Sequence, residues 1–383
     1  MTIPHDHRSP DERPTHDPAT RPRRQEQEPA TDEVDEVAPG VLRIQLPIDM
    51  PGLGHVNCYV LEDERGVAVV DPGLPGRRTF DVLTERLRSV GVPMRRVHTA
   101  VVTHSHPDHY GGAGRIRHAS GADIVTHRRF RMMWDATEPP DVDIEDVPDL
   151  VDEHARAAAR DELAARFRPR MPWDPPAWGG PGVPIPARRK AMMRLARRFP
   201  RFVRLPTPTV RLDDAGTIRL GRRDWVALHT PGHTDDHLCL FDPTDGVMLS
   251  GDHVLPTITP HIGGHVRDLD PLARFFDSLD KVAAYGPDVT TVLPAHGRPF
   301  TDLAGRAEAI KEHHVDRLDV LRAAAAGIGR PARVHELSEH LFSARAQGPM
   351  ADSETFAHLE HLRVAGEAER LERDDGFEYV LTG

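Results

Sequence analysis

The chain has little sulfur and no extended apolar stretch. Cys58 and Cys239 are its only two cysteines among 383 residues, and both stand inside short apolar runs typical of buried strands. Cysteines in such positions favour small buried thiols over a disulfide, which fits a reducing compartment. No apolar run reaches the length of a membrane span, and the first residues lack the hydrophobic segment of a secretory signal. These absences predict a cytoplasmic protein that does not cross a membrane.

Positive charge is also in short supply. The chain carries 49 basic and 60 acidic residues, which gives a formal net charge of −11. Broad, non-specific binding to nucleic acid depends on an excess of basic side chains. The charge balance therefore disfavours nucleic acid as a partner and fits a small-molecule substrate, while leaving room for a local basic patch.

The first residues of the chain are almost free of bulky apolar side chains. Residues 1–36 are rich in Pro, Asp, Glu, Arg and Thr. Such a segment buries too little apolar surface to offset the entropy lost on ordering. We expect a disordered tail over residues 1–36, with ordered structure starting near Val41.

A dense group of potential metal ligands follows the apolar run Val97–Val102, which predicts a buried strand. The group consists of His104, His106, Asp108 and His109. Residues two apart in an extended segment point the same way, so His104 and His106 can reach one ion together. Asp108 and His109 follow where the chain turns, facing a second position. Imidazole nitrogens and carboxylate oxygens are ligands shared by zinc, iron and manganese.

Three further candidate ligands lie downstream in matching contexts. His233 follows a strand-like run and a Pro-Gly turn, Asp252 ends the run Val247–Gly251, and His296 ends the run Thr290–Ala295. Each stands at a strand terminus beside Gly or Pro, where loops carry function on a rigid scaffold. The full set indicates a metal site much more strongly than any single histidine does.

This ordered ligand set resembles that of the metallo-β-lactamase-fold hydrolases, over about residues 41–300 apart from one insertion. The resemblance implies an α/β fold, the αββα sandwich, in which two mixed sheets are flanked by helices. It also implies a place for Asp71, which closes the run Gly66–Asp71 and precedes the metal loop. Asp71 would hydrogen-bond that loop rather than an ion.

The same resemblance assigns the ligands to two ions. The first ion would be held by His104, His106 and His233. The second would be held by Asp108, His109 and His296. Asp252 would bridge both ions, which are expected to be two Zn²⁺, with iron or manganese as alternatives. A hydroxide between the ions would be the nucleophile, and Asp108 would also act in catalysis by orienting it and moving its proton.

Residues 128–205 interrupt the alternation of strands and helices. They contain an acidic loop at Glu138–Glu153, a predicted helix around His154–Phe167 and a basic segment at Arg188–Arg204. In the family, insertions at this point form a helical lid over the metals, and we expect one here. Its large apolar side chains either line a substrate pocket or pack the lid's own core: Trp173, Trp178, Met192, Met193, Phe199 and Phe202.

The basic segment of the insertion has two interpretations. Its arginines and Lys190 form a solvated helix face, or some of them bind an anionic substrate such as a coenzyme A thioester or a phosphate. Two histidines on the loop after Asp252, His261 and His265, are candidates for substrate contact. His313 and His314 are expected on the surface of the C-terminal helix.

The chain divides into three predicted parts. A metallo-β-lactamase-fold domain spans residues 37–302, after the tail, and a separate unit spans residues 303–383. The last unit reads as helices followed by a hairpin around Asp374–Gly376 and resembles a winged helix. Its candidate recognition helix, Glu354–Arg363, has mixed charge and no basic stripe. We therefore favour a structural or homodimerisation role over DNA binding.

The leading functional hypothesis is a dinuclear zinc hydrolase of a small acyl ester, thioester or lactone. Two alternatives share the motif and stay open. One is a metal-dependent endoribonuclease or phosphodiesterase, because two metals suit phosphodiester hydrolysis. The other is a persulfide dioxygenase with a single iron held by two His and one Asp.

Overall fold

The computed structural model describes residues 24–50, 52–132, 157–158, 161, 171–199, 205–266 and 268–382. Over these residues the strands form sheets of seven, five and three strands. The two larger sheets carry the strand ends at which the candidate ligands were expected. The smallest sheet belongs to the C-terminal part of the chain.

The seven-stranded sheet follows chain order from β1 to β7. Its strands are β1 Val34–Ala38, β2 Val41–Met50, β3 Leu53–Glu62, β4 Val67–Val70, β5 Val97–Val101, β6 Asp123–His127 and β7 Val210–Leu212. The pairs from β1 to β4 are antiparallel, and the pairs from β4 to β7 are parallel. Because parallel neighbours end at the same edge, the loops after β4, β5 and β6 meet there.

The five-stranded sheet has the order β12-β11-β10-β9-β8. Its strands are β8 Thr217–Leu220, β9 Arg223–His229, β10 Leu238–Asp242, β11 Val247–Gly251 and β12 Thr291–Pro294. β11 and β12 are parallel, and β10 is antiparallel to both β9 and β11. The ends of β9, β11 and β12 therefore open on one edge, which presents the three downstream ligands together.

Helices cover the outer faces of both sheets. They are α1 Arg77–Ser89, α2 Pro107–Tyr110, α3 Ala113–Ser120, α4 Ala187–Arg198, α5 Pro271–Ala283, α6 Leu303–Ile328, α7 Val334–Leu341 and α8 Pro349–Val364. Along β4, Val67 and Val69 pack against α1 and α3, whereas Ala68 and Val70 pack against the second sheet. This alternation follows from the two-residue period of a strand. The predicted αββα sandwich is confirmed.

The C-terminal residues continue the same core. After α6 come β13 Ala332–Arg333, α7, α8 and the hairpin of β14 Ala368–Arg373 with β15 Gly376–Leu381. One apolar cluster joins Phe275 on α5 to Phe356 on α8 and Tyr379 on β15. The predicted hairpin is confirmed, while the likeness to a winged helix and the boundary at residue 302 remain predictions.

The candidate recognition helix lies inside α8 and is largely covered. Eleven residues of α8 are buried, among them Glu360. The carboxylate of Glu360 accepts hydrogen bonds from the Tyr379 hydroxyl at 2.6 Å and from Arg370 at 3.0 Å. The mixed charge of this helix is therefore neutralised by contacts within the protein, and α8 acts as a packing helix. It begins at Pro349, five residues before the candidate recognition helix.

The segment predicted as a disordered tail is partly ordered. From Arg24 onward the chain forms a short turn at Gln25–Gln27 and then β1, which pairs with β2. Glu26 is fully buried, although no apolar side chain anchors this turn. The expectation of disorder up to residue 36 was wrong for residues 24–36, because polar contacts replace apolar burial there.

The predicted insertion lies between the neighbouring parallel strands β6 and β7. The acidic loop, most of the helix around His154–Phe167, and Phe202 lie outside the described residues. Within 171–199, Trp178 is buried, whereas Met192 and Phe199 are exposed. These side chains therefore do not line one common apolar pocket. Lys190 and Arg194 of α4 both lie over the Trp173 ring.

Two smaller expectations have clear outcomes. Cys58 and Cys239 are buried free thiols in β3 and β10, as predicted. His314 was expected at the surface and is instead fully buried, where its Nδ1 lies 3.0 Å from Nε2 of His358. In the described parts of the chain, none of the helices has the length and apolar character to cross a membrane.

Candidate metal centre

The seven predicted ligands meet at one edge of the sandwich. The loop after β5 carries His104 and His106 and leads into the short helix α2, which contains Asp108 and His109. Pro107 stands at the first position of α2, where its fixed φ favours the helix and its missing N–H costs nothing. The ends of β9, β11 and β12 supply the other three: His233, Asp252 and His296.

The first group consists of three imidazoles and a carboxylate, whose ligand atoms lie within 4.8 Å of one another: His104, His106, His233 and Asp252. Nδ1 of His106 lies 2.9 Å from Nε2 of His104 and 3.1 Å from Nε2 of His233. Oδ2 of Asp252 lies 3.8 Å from Nε2 of His104 and 3.5 Å from Nε2 of His233. The nitrogens therefore converge on one point instead of each binding a separate partner.

The second group consists of Asp108, His109 and His296. Oδ2 of Asp108 lies 3.5 Å from Nε2 of His109 and 3.6 Å from Nε2 of His296. Asp252 reaches this group as well, since its Oδ2 is 3.4 Å from Nε2 of His109 and its Oδ1 is 3.2 Å from Nε2 of His296. Asp252 is thus shared by the two groups.

These side chains fit divalent metal ions. Over the described residues, Nε2 of His109, Nε2 of His296 and Oδ1 of Asp252 are buried without a hydrogen-bond partner. Buried polar atoms normally have one, and atoms left without a partner call for an unseen ion or water. Imidazole nitrogens facing carboxylate oxygens at these separations form the donor set that zinc and similar ions accept.

In four of the ligand imidazoles Nε2 faces the other ligands, and Nδ1 on the other side of the ring makes a further hydrogen bond. Nδ1 of His109 donates to Asp71 at 2.9 Å, and Nδ1 of His104 donates to the Thr103 hydroxyl at 3.0 Å. Nδ1 of His296 donates to the backbone oxygen of His55 at 2.6 Å, and Nδ1 of His233 donates to that of His261 at 2.7 Å. Such contacts fix the tautomer and the ring orientation of a metal-binding histidine.

Asp71 holds the start of the metal loop. Its Oδ1 accepts from the Thr103 amide at 2.9 Å, and its Oδ2 accepts from the Thr103 hydroxyl at 2.8 Å. Asp71 has a positive φ of 55°, a conformation that Asp and Asn tolerate better than most residues. Its carboxylate therefore lies beside the imidazole of His109, as the role proposed from the sequence requires.

The carboxylates and imidazoles of the centre shift one another's pKa. Burial disfavours the ionised form of Asp252, but the imidazoles of His296 and His109 outweigh it and hold the pKa well below its usual range. Burial acts in the same way on Asp108, and His109 lowers its pKa to about 2. Burial and the neighbouring His233 lower the pKa of His106 to about 3. At neutral pH these carboxylates are ionised and His106 is neutral, as metal binding requires. Burial opposes the protonation of His109 and His296, but Asp252 and Asp108 outweigh it and raise their pKa, so an ion bound there would displace protons from these rings.

The two histidines expected to contact substrate have different surroundings. His261 is half-buried, and its Nδ1 donates to Oε2 of Glu354 at 3.1 Å. His265 is exposed, and its ring lies 4.8 Å from that of Trp178. His261 therefore adjoins the first ligand group through its backbone, whereas the ring of His265 contacts the insertion.

Sequence reasoning missed several residues that support this centre. His55 and Thr103 bind ligand histidines, and Glu354 reaches His261 from α8. Asp236 is buried and accepts a hydrogen bond from Ser105, the residue between the first two ligands, at 2.9 Å. Thr103 directly precedes His104, whereas the fold alone brings His55, Asp236 and Glu354 close to their partners.

A small cleft of about 80 Å³ opens beside the turn that presents His233. Pro231 and Gly232 form part of its wall. Its charged lining has both signs and comprises Arg129, Arg274, Asp235 and Asp268. The cleft is polar, which is unusual for a site that binds a purely apolar molecule.

Comparisons with known proteins agree with this arrangement. The chain is 24% identical over 340 residues to the probable metallo-hydrolase YqjP of Bacillus subtilis, covering 85% of this chain and 92% of that one. It is 35% identical over 85 residues to a hydroxyacylglutathione hydrolase of Albidiferax ferrireducens, covering 22% and 30% of the two chains. The crystal structure of a metallo-beta-lactamase family protein from Thermus thermophilus superposes with a TM-score of 0.68 at 28% identity, covering 91% of this chain and all of that one.

The profile of the metallo-beta-lactamase superfamily matches residues 51–296, a range that begins between β2 and β3 and ends at the last candidate ligand. Relatives named as metallo-hydrolase and as hydrolase are similar in sequence to this chain. The chain belongs to the metallo-beta-lactamase superfamily and is a metal-dependent hydrolase.

Proposed function

We propose that the protein is a dinuclear zinc hydrolase that cleaves a small acyl ester, thioester or lactone. One observation carries the proposal: Asp252 contacts both ligand groups, with Oδ2 facing His233 and Oδ1 facing His296. A carboxylate shared in this way suits two neighbouring ions rather than one. The hydroxyacylglutathione hydrolase among the relatives supports an acyl substrate.

The residues would divide the work as follows. The first ion would be held by His104, His106 and His233. The second ion would be held by Asp108, His109 and His296, and Asp252 would bind both ions. Bound ions of this kind polarise the carbonyl oxygen and lower the pKa of water. Asp108 is ionised at neutral pH, so a carboxylate oxygen of Asp108 can accept a hydrogen bond and orient the attacking water. Asp71 keeps the His109 ring in place through Nδ1.

The first test is the metal content of protein purified without chelators or a histidine tag. Elemental mass spectrometry would compare the wild type with Asp108→Ala, Asp252→Ala and the control Asp280→Ala, whose exposed carboxylate pairs with Lys311 at the surface. For a dinuclear centre we expect about two zinc ions per chain in the wild type. Asp108→Ala should retain about one ion, and Asp252→Ala should retain fewer than the wild type. The control should keep the wild-type content.

A substrate panel then separates the candidate reactions. Esters, thioesters and lactones should be hydrolysed by the wild type and by Asp280→Ala, but not by Asp252→Ala. About one iron per chain, with oxygen consumed in the presence of a persulfide, would favour the dioxygenase instead. Cleavage of single-stranded RNA that disappears in Asp108→Ala would favour the nuclease.

A further inference from the structure

The N-terminal strap, residues 24–28, crosses behind the metal centre. It is the first described segment of the chain and contains the turn Gln25–Gln27. Glu26 in this strap is fully buried, although the strap offers no apolar side chain to the core. A buried carboxylate is stable only when hydrogen bonds or charges compensate for its lost hydration. Its partners therefore indicate what the strap holds.

Glu26 binds the loop that follows the shared carboxylate Asp252. Its Oε1 accepts from the amides of Thr257 at 2.7 Å and Ile258 at 3.1 Å. Its Oε2 accepts from the Thr257 hydroxyl. Arg306 of α6 donates to the backbone oxygens of Leu255 and Ile258, which holds the same loop from the other side. One carboxylate thus holds a loop that begins three residues after Asp252.

The same strap reaches the ligand His296 through His55. The backbone oxygen of Glu28 accepts from Nδ1 of His55 at 2.8 Å. The backbone oxygen of His55 accepts from Nδ1 of His296 at 2.6 Å. Nε2 of the His55 ring accepts from the Gly297 amide at 3.2 Å. Oε1 of Gln25 accepts from the Arg298 amide at 2.8 Å. The strap is therefore hydrogen-bonded to Arg298 directly and to His296 and Gly297 through His55.

The strap lies so close to β3 that one position excludes any side chain. A Cβ atom on Gly54 would lie 2.1 Å from the backbone oxygen of Glu28 and 2.8 Å from that of Gln27. Both neighbours are backbone atoms, so the strap itself would have to move. Gly54 also precedes His55, the residue that links the strap to His296. A methyl group at Gly54 is therefore a direct way to displace the strap.

We infer that the N-terminal strap positions the second metal site by holding the loop after Asp252 and the ligand His296. This inference rests on the proposed dinuclear centre. The strap contacts neither His104 nor His106 in the hydrogen bonds described above, so its loss should act on the ion held by Asp108, His109 and His296. Contacts of this outer kind typically change metal affinity about 10–100-fold.

The test measures zinc affinity by chelator competition in the full-length chain, with thermal unfolding of the metal-free protein recorded in parallel. Glu26→Ala removes the oxygens that accept from Thr257 and Ile258, Glu26→Gln removes the charge and turns one acceptor oxygen into a donor, and Gly54→Ala displaces the strap. Glu64→Gln is the matched control for charge, because Glu64 lies outside the strap and its exposed side chain pairs with Arg222 at the surface. Gly327→Ala is the matched control for the methyl group, since it meets open space.

We expect the Glu26 and Gly54 variants to bind one of two zinc ions about 10–100-fold more weakly, while both controls bind as the wild type does. In an Asp108→Ala background, Glu26→Gln should leave the remaining ion unaffected. Unchanged affinity for both ions in Glu26→Ala and Gly54→Ala would overturn the inference, even if both variants melt at lower temperature. Fewer than two ions in the wild type would instead count against the dinuclear proposal. If the wild type binds a single ion and the variants bind it more weakly, the positioning role of the strap would still be supported.

Discussion

Oε2 of Glu354 lies 3.1 Å from Nδ1 of His261, which joins helix α8 to the loop beside the metal centre. Oε1 of Glu354 accepts from Arg317 of α6 at 2.9 Å. Burial alone would raise the pKa of Glu354, but His261 and Arg317 outweigh it and lower the pKa to about 2. The C-terminal helices thus place a buried, ionised carboxylate next to the residue whose backbone oxygen binds His233.

Replacement of Glu354 should weaken the first metal site and the fold together. Glu354→Ala leaves Arg317 without its buried partner, a change that typically costs about 3–5 kcal/mol of unfolding free energy. It also frees the His261 loop, so zinc affinity at the site containing His233 should fall by about 10-fold. Denaturant unfolding and chelator competition measure the two effects.

The control for this variant is Glu336→Gln in the same C-terminal helices. Glu336 pairs with Arg330 at the surface, where such a pair contributes at most about 1 kcal/mol. Wild-type zinc affinity in Glu354→Ala would show that α8 supports the fold without supporting the site.

Acid should destabilise the protein through two stacked histidines. The rings of His127 and His229 lie 3.9 Å apart and nearly parallel. Burial, together with His229, lowers the pKa of His127 to about 2, and burial lowers that of His229 to about 4. Each ring is neutral in the folded protein at pH values where an unfolded histidine, with a pKa near 6.5, is protonated.

Protonation of these rings costs no stability above about pH 6.5, and the loss then grows as the pH falls, down to about pH 4 for His229 and about pH 2 for His127. Each group then contributes a slope of about 1.4 kcal/mol per pH unit. His127→Phe retains a ring that can stack but takes up no proton in the unfolded chain, so its acid-induced loss should be shallower. Denaturant unfolding of metal-free protein between about pH 7 and 4.5 tests this, and identical slopes would contradict it.

Asp71 should be needed for metal retention rather than for folding. In Asp71→Asn, an amide donor can replace the Oδ2 that accepts from His109 and Thr103, while the side chain still tolerates the positive φ. We expect about 10–100-fold weaker zinc binding with little change in the melting temperature of metal-free protein. Zinc retained after dialysis gives the measurement. Asp280→Asn, a surface change, should retain the wild-type amount.

Trp178 should anchor the described part of the insertion. Its ring stacks on Phe356 of α8 with centroids 4.6 Å apart, and it is buried. Trp178→Ala should lower the free energy of unfolding by about 3–5 kcal/mol, as expected when a large side chain leaves a core. Trp178→Phe should cost less, because within the described residues the indole nitrogen has no hydrogen-bond partner to lose. Equal losses in both variants would contradict this packing role.

The sandwich and the meeting of its ligands could be predicted because both depend on short-range patterns. His104 and His106 share one side of an extended segment, and Asp252 and His296 end two strands that the fold makes parallel. The hairpin of β14 and β15 follows from its Asp-Gly turn in the same way.

The polar supports could not be predicted, because they join residues far apart in sequence. Glu26 is buried through hydrogen bonds to Thr257 and Ile258, about 230 residues away, so the polar composition of its segment indicated disorder. The sequence shows the mixed charge of helix α8 but not its partners, because Glu360 pairs with Tyr379 and Arg370 inside the protein. Periodicity does not report such long-range pairing.

The buried contact between Glu354 and His261 also sets the order of events during synthesis. The ligands extend from His104 to His296, but the loop that holds His233 gains its carboxylate partner only when α8 has been made. A ribosome-bound chain that ends before α8 would have every candidate ligand and an incompletely supported centre. Stable metal loading would therefore follow completion of the C-terminal helices rather than accompany translation of the sandwich.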